Sequence, residues 1–146
     1  MTTARKKILE ACCQRISWEE LDIGPIRKLV DLAIQEDLEG SGLLSKPKLT
    51  GDRSSSLLDS SKSIQATIRA RDSLCVCGLP IADEILRFFD DRLRIQRSAE
   101  DGQMVVSGNP IATISGPCQD VLTIERTLLN FLQRLSGIAT TTRHFA

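Results

Sequence analysis

The sequence has no excess charge of either sign, because 19 basic side chains are balanced by 19 acidic ones among its 146 residues. A nucleic-acid surface or a polybasic membrane patch requires a surplus of lysine and arginine, so neither kind of partner is indicated. The sequence also lacks any run close to the roughly 20 apolar residues that span a bilayer, and it lacks the apolar core of a signal peptide at its N-terminus. We therefore expect a cytoplasmic protein without a nucleic-acid or membrane partner.

Side chains that bind transition metals are scarce, since there are only one histidine, His144, and five cysteines. Cys12 and Cys13 are adjacent and a single residue separates Cys75 from Cys77, so the paired Cys-x-x-Cys spacing of a zinc site is missing. Free cysteines in a reducing compartment usually behave as small buried hydrophobic side chains. We predict no metal site and expect His144 to be an ordinary surface or interface residue.

Lysine is absent after Lys62. This absence matters because the stretch EDGQMVVSGNPIATISG resembles the Gly-x-x-Val-x-x-Gly rhythm of biotinyl and lipoyl carrier domains, which are small and non-catalytic. Such domains need a modifiable lysine at a hairpin tip. The missing lysine argues strongly against a carrier module.

The first part of the chain has helical periodicity. Residues 5–16 place apolar side chains at helical spacing, and Ser17-x-x-Glu20 has the pattern of a capping box. We assign 1–25 to an N-terminal helical extension. Pro25 fits the first turn of a second, amphipathic helix that ends near Gly40. Residues 39–63 contain eight serines and no clear period, which predicts a long loop.

The middle of the chain alternates between apolar and polar residues, which is typical of half-buried strands. The stretches IQATIRAR, LCVCGL and LRIQ predict three strands, EDGQMVVSGNPIATISG predicts two more, and Pro80 opens a helix. Strands with flanking helices and no βαβαβ alternation indicate an α+β fold. We expect an open α/β sandwich over 26–117, with a mainly antiparallel sheet flanked by helices.

After Gly116-Pro117 the periodicity predicts a long helix over 118–135. Its polar side carries Arg126, Asn130 and Gln133, whereas Glu125 falls inside the apolar arc, where we expect it to have a partner. Ser136-Gly137 interrupts the period and predicts a break before a further helix. The apolar arc covers about half of the circumference: Val121, Leu122, Ile124, Leu128, Leu129, Phe131, Leu132 and Leu135.

The closing stretch ERTLLNFLQRLSGIATTTRHF closely resembles the corresponding segment of quinolinate phosphoribosyltransferase, also called carboxylating nicotinate-nucleotide pyrophosphorylase. The resemblance continues upstream through EDGQMVVSGNPIATISGP, ATIRARDSLCVCGLPIADEILRFF and LVDLAIQEDL, and it covers about residues 26–146. The sequence departs from the family where GSGLLSKPKLT precedes Gly51-Asp52-Arg53-Ser54, because the family has a short Gly-Asp-x-Thr turn almost directly after the EDL helix end.

The resemblance implies a reaction in de novo NAD biosynthesis. Family members join quinolinate to the ribose of phosphoribosyl pyrophosphate with Mg2+ present, and they release pyrophosphate and carbon dioxide to give nicotinate mononucleotide. They continue into a C-terminal α/β barrel. The resemblance therefore implies the N-terminal portion of a longer enzyme, with 118–146 as the linking helix and the start of the missing barrel. We expect this portion to be inactive alone and to bind no Mg2+ itself.

The resemblance also assigns one substrate-binding residue and no catalytic one. The arginine of the Glu-Arg-Thr motif, here Arg126, reaches the active site of the neighbouring subunit, where a guanidinium can bind an oxyanion bidentately. Arg134 and Arg143 are expected to be structural or interfacial. We expect a homo-oligomer or pairing with a barrel-bearing chain, because the apolar half of the closing helix would lose cover. The alternative is a non-catalytic structural or regulatory dimerisation stub.

Overall fold

The computed structural model describes residues 16–45, 62–89 and 91–145. Most of the helix predicted over 5–16 and most of the loop predicted over 39–63 lie outside the described residues. The Gly51-Asp52-Arg53-Ser54 turn also lies outside them. In the described ranges, antiparallel sheets are flanked by helices without a closed barrel, which confirms the predicted α+β fold class.

The described residues form three α-helices and five strands in the order α1, β1, β2, α2, β3, β4, β5, α3. Short 3-10 turns precede α1 and follow α2. The bounds are Ile23–Glu39 for α1, Ser63–Arg69 for β1, Leu74–Cys75 for β2, Leu79–Leu86 for α2, Arg94–Arg97 for β3, Met104–Val105 for β4, Pro110–Pro117 for β5 and Cys118–Phe145 for α3.

Strand β5 lies at the centre of the larger sheet, between β1 and β3, and pairs antiparallel with both. Strands β2 and β4 form a second antiparallel pair. The predicted alternation of β1 is confirmed, because Ile64, Ala66 and Ile68 are half-buried whereas the residues between them are exposed. In β5 the neighbouring residues Ile111 and Ala112 are both buried, so this central strand is covered on both faces.

Helix α1 has Pro25 in its first turn and ends at Gly40, as its sequence predicts. The Asp22 carboxylate accepts a hydrogen bond from the Gly24 N–H at 3.0 Å, and Pro25 lies in the first turn. Gly40 ends the helix with a left-handed φ of 64°, a conformation that glycine adopts without steric cost. The predicted capping contact also forms, since the Ser17 N–H donates to Glu20 Oε2 at 2.8 Å, but it belongs to the 3-10 turn before α1.

The apolar face of α1 is narrower than its sequence pattern suggests. Val30 and Ile34 enter the core, but Leu29 is 55% exposed. Leu32 is equally exposed, so part of the apolar surface of α1 faces outward. Leu29 has the sequence spacing of the apolar face of α1, yet it lies outside the core.

Helix α3 contacts α2, β1, β2, β5 and α1, and it buries one stripe of its surface against them. The stripe recurs at spacings of three and four through Val121, Ile124, Leu128 and Leu132. The apolar half predicted to lose its cover is thus largely covered by this chain itself. Glu125 lies on the margin of the stripe and is exposed, which corrects the prediction that it needs a buried partner.

The helix break predicted at Ser136-Gly137 does not occur, because α3 continues to Phe145. Ser136 is buried, and its hydroxyl accepts from the Cys77 N–H at 3.0 Å and donates to the Cys77 carbonyl at 3.2 Å. One turn later, the Thr140 hydroxyl accepts from the Cys75 N–H at 2.8 Å. These contacts hold the helix against the edge of β2, and they outweigh the roughly 1 kcal/mol by which glycine weakens a helix.

The turn into α2 is built for close approach to α3. Asp101 accepts hydrogen bonds from the N–H groups of Gly78, at 2.7 Å, and Leu79, at 2.9 Å, so its carboxylate caps the positive end of α2. Gly78 has a φ of 106°, and a Cβ at this position would lie 2.8 Å from Leu135 Cδ1. Only glycine satisfies both the backbone conformation and the contact.

Alanine substitutions at two glycines with positive φ distinguish the cost of backbone strain from the cost of overpacking. Gly78→Ala should lower the free energy of unfolding by about 3 kcal/mol, because backbone strain of about 1 kcal/mol adds to overpacking against Leu135. Gly102 has a similar φ of 85°, but a Cβ at this position would meet no other atom within 4 Å, so Gly102→Ala should cost only the strain. Urea denaturation of both variants measures the difference. Equal losses would contradict close packing of α3 on this turn.

Candidate functional site

Arg126 projects from the exposed side of α3 towards the C-terminal end of α1. Its Nη1 donates to Asp37 Oδ1 at 2.9 Å, and this ion pair links residues that are 89 positions apart. The Arg126 side chain is 77% exposed, whereas that of Asp37 is 19% exposed. The carboxylate is therefore the enclosed partner of the pair and the guanidinium is the accessible one.

The ion pair lies at an open depression of about 490 Å3 between α1 and α3. Its lining combines apolar side chains with a few polar groups. Asn130, one turn beyond Arg126, contributes an amide to the same depression, as the shared polar face of α3 predicts. The lining residues are Ala33, Glu36, Asp37, Leu38, Gly40, Leu43, Arg126, Thr127, Asn130 and Phe131.

The helix end at this depression is strongly acidic. Glu36, Asp37 and Glu39 all lie in the last turn of α1, which contains no basic residue. The backbone carbonyls at a helix C-terminus also carry partial negative charge, so carboxylates there are electrostatically unfavourable. Arg126 is the only cation in the described lining of the depression and offsets part of this negative potential.

The Arg126 guanidinium keeps most of its binding capacity despite the ion pair. Asp37 contacts it through Nη1 alone, and among the described residues no other acceptor bonds to it. The edge formed by Nε and Nη2 is therefore open for a bidentate contact with a carboxylate or phosphate. An exposed ion pair contributes only about 0–1 kcal/mol, so Asp37 does not hold the guanidinium away from another anion.

The other polar residues of α3 do not all join this site. Gln133 lines a separate cavity of about 560 Å3 on the side of α3 that faces Arg69 and Arg71. Arg143 donates to the Gly102 carbonyl at 3.4 Å, which agrees with a structural role, and Arg134 and His144 are exposed. The structure thus brings together Arg126 and Asn130 and separates them from Gln133.

Among the described cysteines, Cys77 has the features of a poorly reactive thiol. Cys75, Cys77 and Cys118 are free thiols. Burial raises the pKa of the Cys77 thiol, and the negative charge of Asp101 raises it further. A thiol with a raised pKa stays protonated near neutral pH and is a poor nucleophile. In the same described ranges, no group of three or more His, Cys, Asp or Glu side chains could hold a metal ion.

Asp37 was not predicted as a site residue from the sequence, although a signal was present. An aspartate in the last turn of a helix opposes the helix dipole, and it is accompanied there by two glutamates and no lysine or arginine. Such a placement suggests a partner cation on another element. Which cation this is depends on the fold, because Arg126 lies on a different helix.

The chain is similar to proteins of one family in sequence. The family model for the N-terminal domain of quinolinate phosphoribosyl transferase matches residues 52–136. The chloroplastic carboxylating nicotinate-nucleotide pyrophosphorylase of Oryza sativa subsp. japonica is 30% identical over 121 residues, which cover 83% of this chain and 30% of that protein. The corresponding chloroplastic protein of Arabidopsis thaliana is 36% identical over 83 residues, which cover 57% of this chain and 24% of that protein.

A solved structure has the same fold as this chain. The nicotinate-nucleotide pyrophosphorylase from Francisella tularensis matches with a TM-score of 0.73 and 27% sequence identity, over 87% of this chain and 42% of that one. The aligned part of this chain thus spans only 24% to 30% of the length of the two plant relatives.

None of the described helices is long and apolar enough to cross a membrane.

The exposure of Arg126 leads to a prediction for stability. Arg126→Ala should change the free energy of unfolding by less than about 1 kcal/mol, because it removes only an exposed ion pair. Ser136→Ala is the contrasting variant and should cost about 1–3 kcal/mol, since it leaves Cys77 backbone groups without their partner. Urea denaturation compares the two. A large loss for Arg126→Ala would mean that the guanidinium supports the fold.

Proposed function

This chain belongs to the quinolinate phosphoribosyl transferase family, whose N-terminal domain it contains, and on that premise we propose that it supplies the substrate-binding guanidinium of Arg126 to the family reaction. In this reaction, the quinolinate nitrogen bonds to the ribose carbon of phosphoribosyl pyrophosphate as pyrophosphate leaves. Loss of one carboxyl group as carbon dioxide then gives nicotinate mononucleotide. The other parts of the active site belong to an α/β barrel, which the described residues do not include.

One observation carries the proposal: the Arg126 guanidinium is exposed at the rim of a depression and retains an open edge of N–H donors. Both substrates are anions, one a dicarboxylate and the other a phosphorylated sugar with a diphosphate group. The planar fork of a guanidinium matches two oxygens of either group. A cation placed on the outer face of a rigid helix suits delivery to a neighbouring barrel better than it suits a closed site within this domain.

Mg2+ belongs to the proposed reaction together with phosphoribosyl pyrophosphate. Among the described residues, no group of three or more His, Cys, Asp or Glu side chains could hold a metal ion. We therefore assign no metal ligand to this part of the chain. Its contribution to the chemistry is to bind and orient a substrate anion through Arg126.

The assembly that we propose pairs the domain with a barrel from another subunit. The arrangement requires Arg126 to face outward from its own domain, and its exposure is in accord with this. Apolar side chains that are exposed on α1, namely Leu29 and Leu32, add surface that association would bury. The alternative of a non-catalytic dimerisation stub predicts the same association but no effect of Arg126 on turnover.

The role of Arg126 is tested by kinetics in an enzyme that combines this segment with a barrel. Arg126→Ala should lower kcat/KM for quinolinate by a factor that corresponds to about 2–5 kcal/mol, the range for removing one partner of a buried charge pair. Arg126→Lys should recover only part of the loss, because a point charge does not reproduce the planar fork.

Arg134→Ala is the matched control for this experiment. Arg134 is an exposed arginine two turns further along α3, and it does not line the depression. Its removal should leave kcat/KM within about twofold, the scatter of surface substitutions. Normal kinetics for Arg126→Ala, or equal losses for the two arginines, would count against the proposed site.

A second test uses the 146-residue polypeptide by itself. We expect it to show no formation of nicotinate mononucleotide from quinolinate and phosphoribosyl pyrophosphate, because its described part presents one candidate substrate cation and no barrel. The assay should be run with Mg2+ and repeated after addition of a barrel-bearing chain. Turnover by the polypeptide alone would refute the division of the site between two domains.

A further inference from the structure

We propose that Asp37 is a positioning residue, which fixes one end of the Arg126 guanidinium so that its opposite edge meets the substrate anion. This inference rests on the proposed function of Arg126 and deepens it. Asp37 lies before the segment that the family model matches, and its assignment comes from the ion pair between α1 and α3. It acts through Arg126 and does not itself contact the substrate.

The geometry of the pair favours positioning. Asp37 Oδ1 bonds to Nη1 of Arg126 at 2.9 Å, so it occupies the tip of the guanidinium and leaves the edge of Nε and Nη2 open. Arginine has a long side chain with about 2 kcal/mol of rotamer entropy, which must be lost when it binds an anion in one geometry. A carboxylate that holds the side chain beforehand removes part of this cost.

The placement of Asp37 is unfavourable for α1 itself. It lies three residues from the C-terminus of the helix, where a basic side chain would be stabilising and a carboxylate is not. Helix stability therefore gives no reason for an aspartate at this position, whereas the ion pair with Arg126 does.

A competing role makes the opposite prediction. Asp37 could occupy Arg126 as an internal competitor of the substrate, and its removal would then improve substrate binding. The single contact at the tip argues against competition, because a competitor for a substrate carboxylate would take the bidentate edge. The direction of the kinetic change upon removal of Asp37 therefore separates the two roles.

The experiment uses the enzyme that combines this segment with its barrel, and it measures kcat and KM for quinolinate. Asp37→Ala should lower kcat/KM about fivefold, which corresponds to about 1 kcal/mol, the upper end for an exposed ion pair. Asp37→Asn keeps an acceptor oxygen and should lose only about twofold. Glu39→Gln removes a charge from the same helix turn without contacting Arg126 and should leave the kinetics unchanged.

A double-mutant cycle tests whether Asp37 acts through Arg126. In an Arg126→Ala background, Asp37→Ala should cause no further loss of kcat/KM, because there is no guanidinium left to position. A purely structural role of Asp37 would instead give the same loss in both backgrounds. Thermal unfolding of each variant checks that the changes in activity do not arise from unfolding.

The outcomes distinguish this inference from the proposed function on which it rests. If Arg126→Ala impairs turnover but Asp37→Ala is normal or has a higher kcat/KM, positioning by Asp37 is refuted and the role of Arg126 remains. If Arg126→Ala is itself normal, the proposed function fails, whatever Asp37 does. Additive losses in the cycle would also overturn positioning, since they would place Asp37 and Arg126 in independent roles.

Discussion

The docking of α3 on the free edge of β2 is the interaction on which the rest of the structure depends. On one side, β2 and the residue that follows it bond to the chain around β4, and there the Val76 N–H donates to the Gln103 carbonyl at 2.9 Å. The other side would leave the N–H groups of Cys75 and Cys77 without partners. The hydroxyls of Ser136 and Thr140 on α3 accept these hydrogen bonds in place of a neighbouring strand. They fix both the rotation of α3 about its axis and its position along that axis. This placement of α3 determines which of its sides faces outward, and therefore where the Arg126 side chain is exposed.

Local patterns in the sequence were sufficient for the elements whose determinants are local. The end of α1 at Gly40 follows from the left-handed conformation that glycine tolerates, and β1 follows from strict alternation. The course of α3 past Ser136-Gly137 was not predictable in this way. The Ser136 hydroxyl bonds to Cys77, which lies 59 residues earlier in the chain. The residues around Ser136 therefore give no sign of this contact and include only Gly137, a weak helix former.

In the candidate site as well, features set by neighbouring residues were predictable from the sequence, whereas features set by long-range contacts were not. The polar face of α3 placed Arg126 and Asn130 on one side, and the structure confirms that both line the depression. Helical periodicity alone also placed Glu125 in the apolar arc, but the buried stripe is set by the surface on which the helix packs and is narrower than the arc. The pairing of Asp37 with Arg126 spans 89 residues and appears only when α1 and α3 lie side by side.

The exposure of this ion pair has a consequence for how it would work in an assembled site. In water the pair contributes at most about 1 kcal/mol, so Asp37 and a substrate oxyanion can share the guanidinium at little cost. When a second domain covers the depression and excludes water, the effective dielectric constant falls and each charge interaction strengthens. The Asp37 carboxylate then also repels any anion that approaches the Nη1 end of the Arg126 guanidinium. The carboxylate that is unfavourable at the helix end would in this way restrict the substrate to one approach.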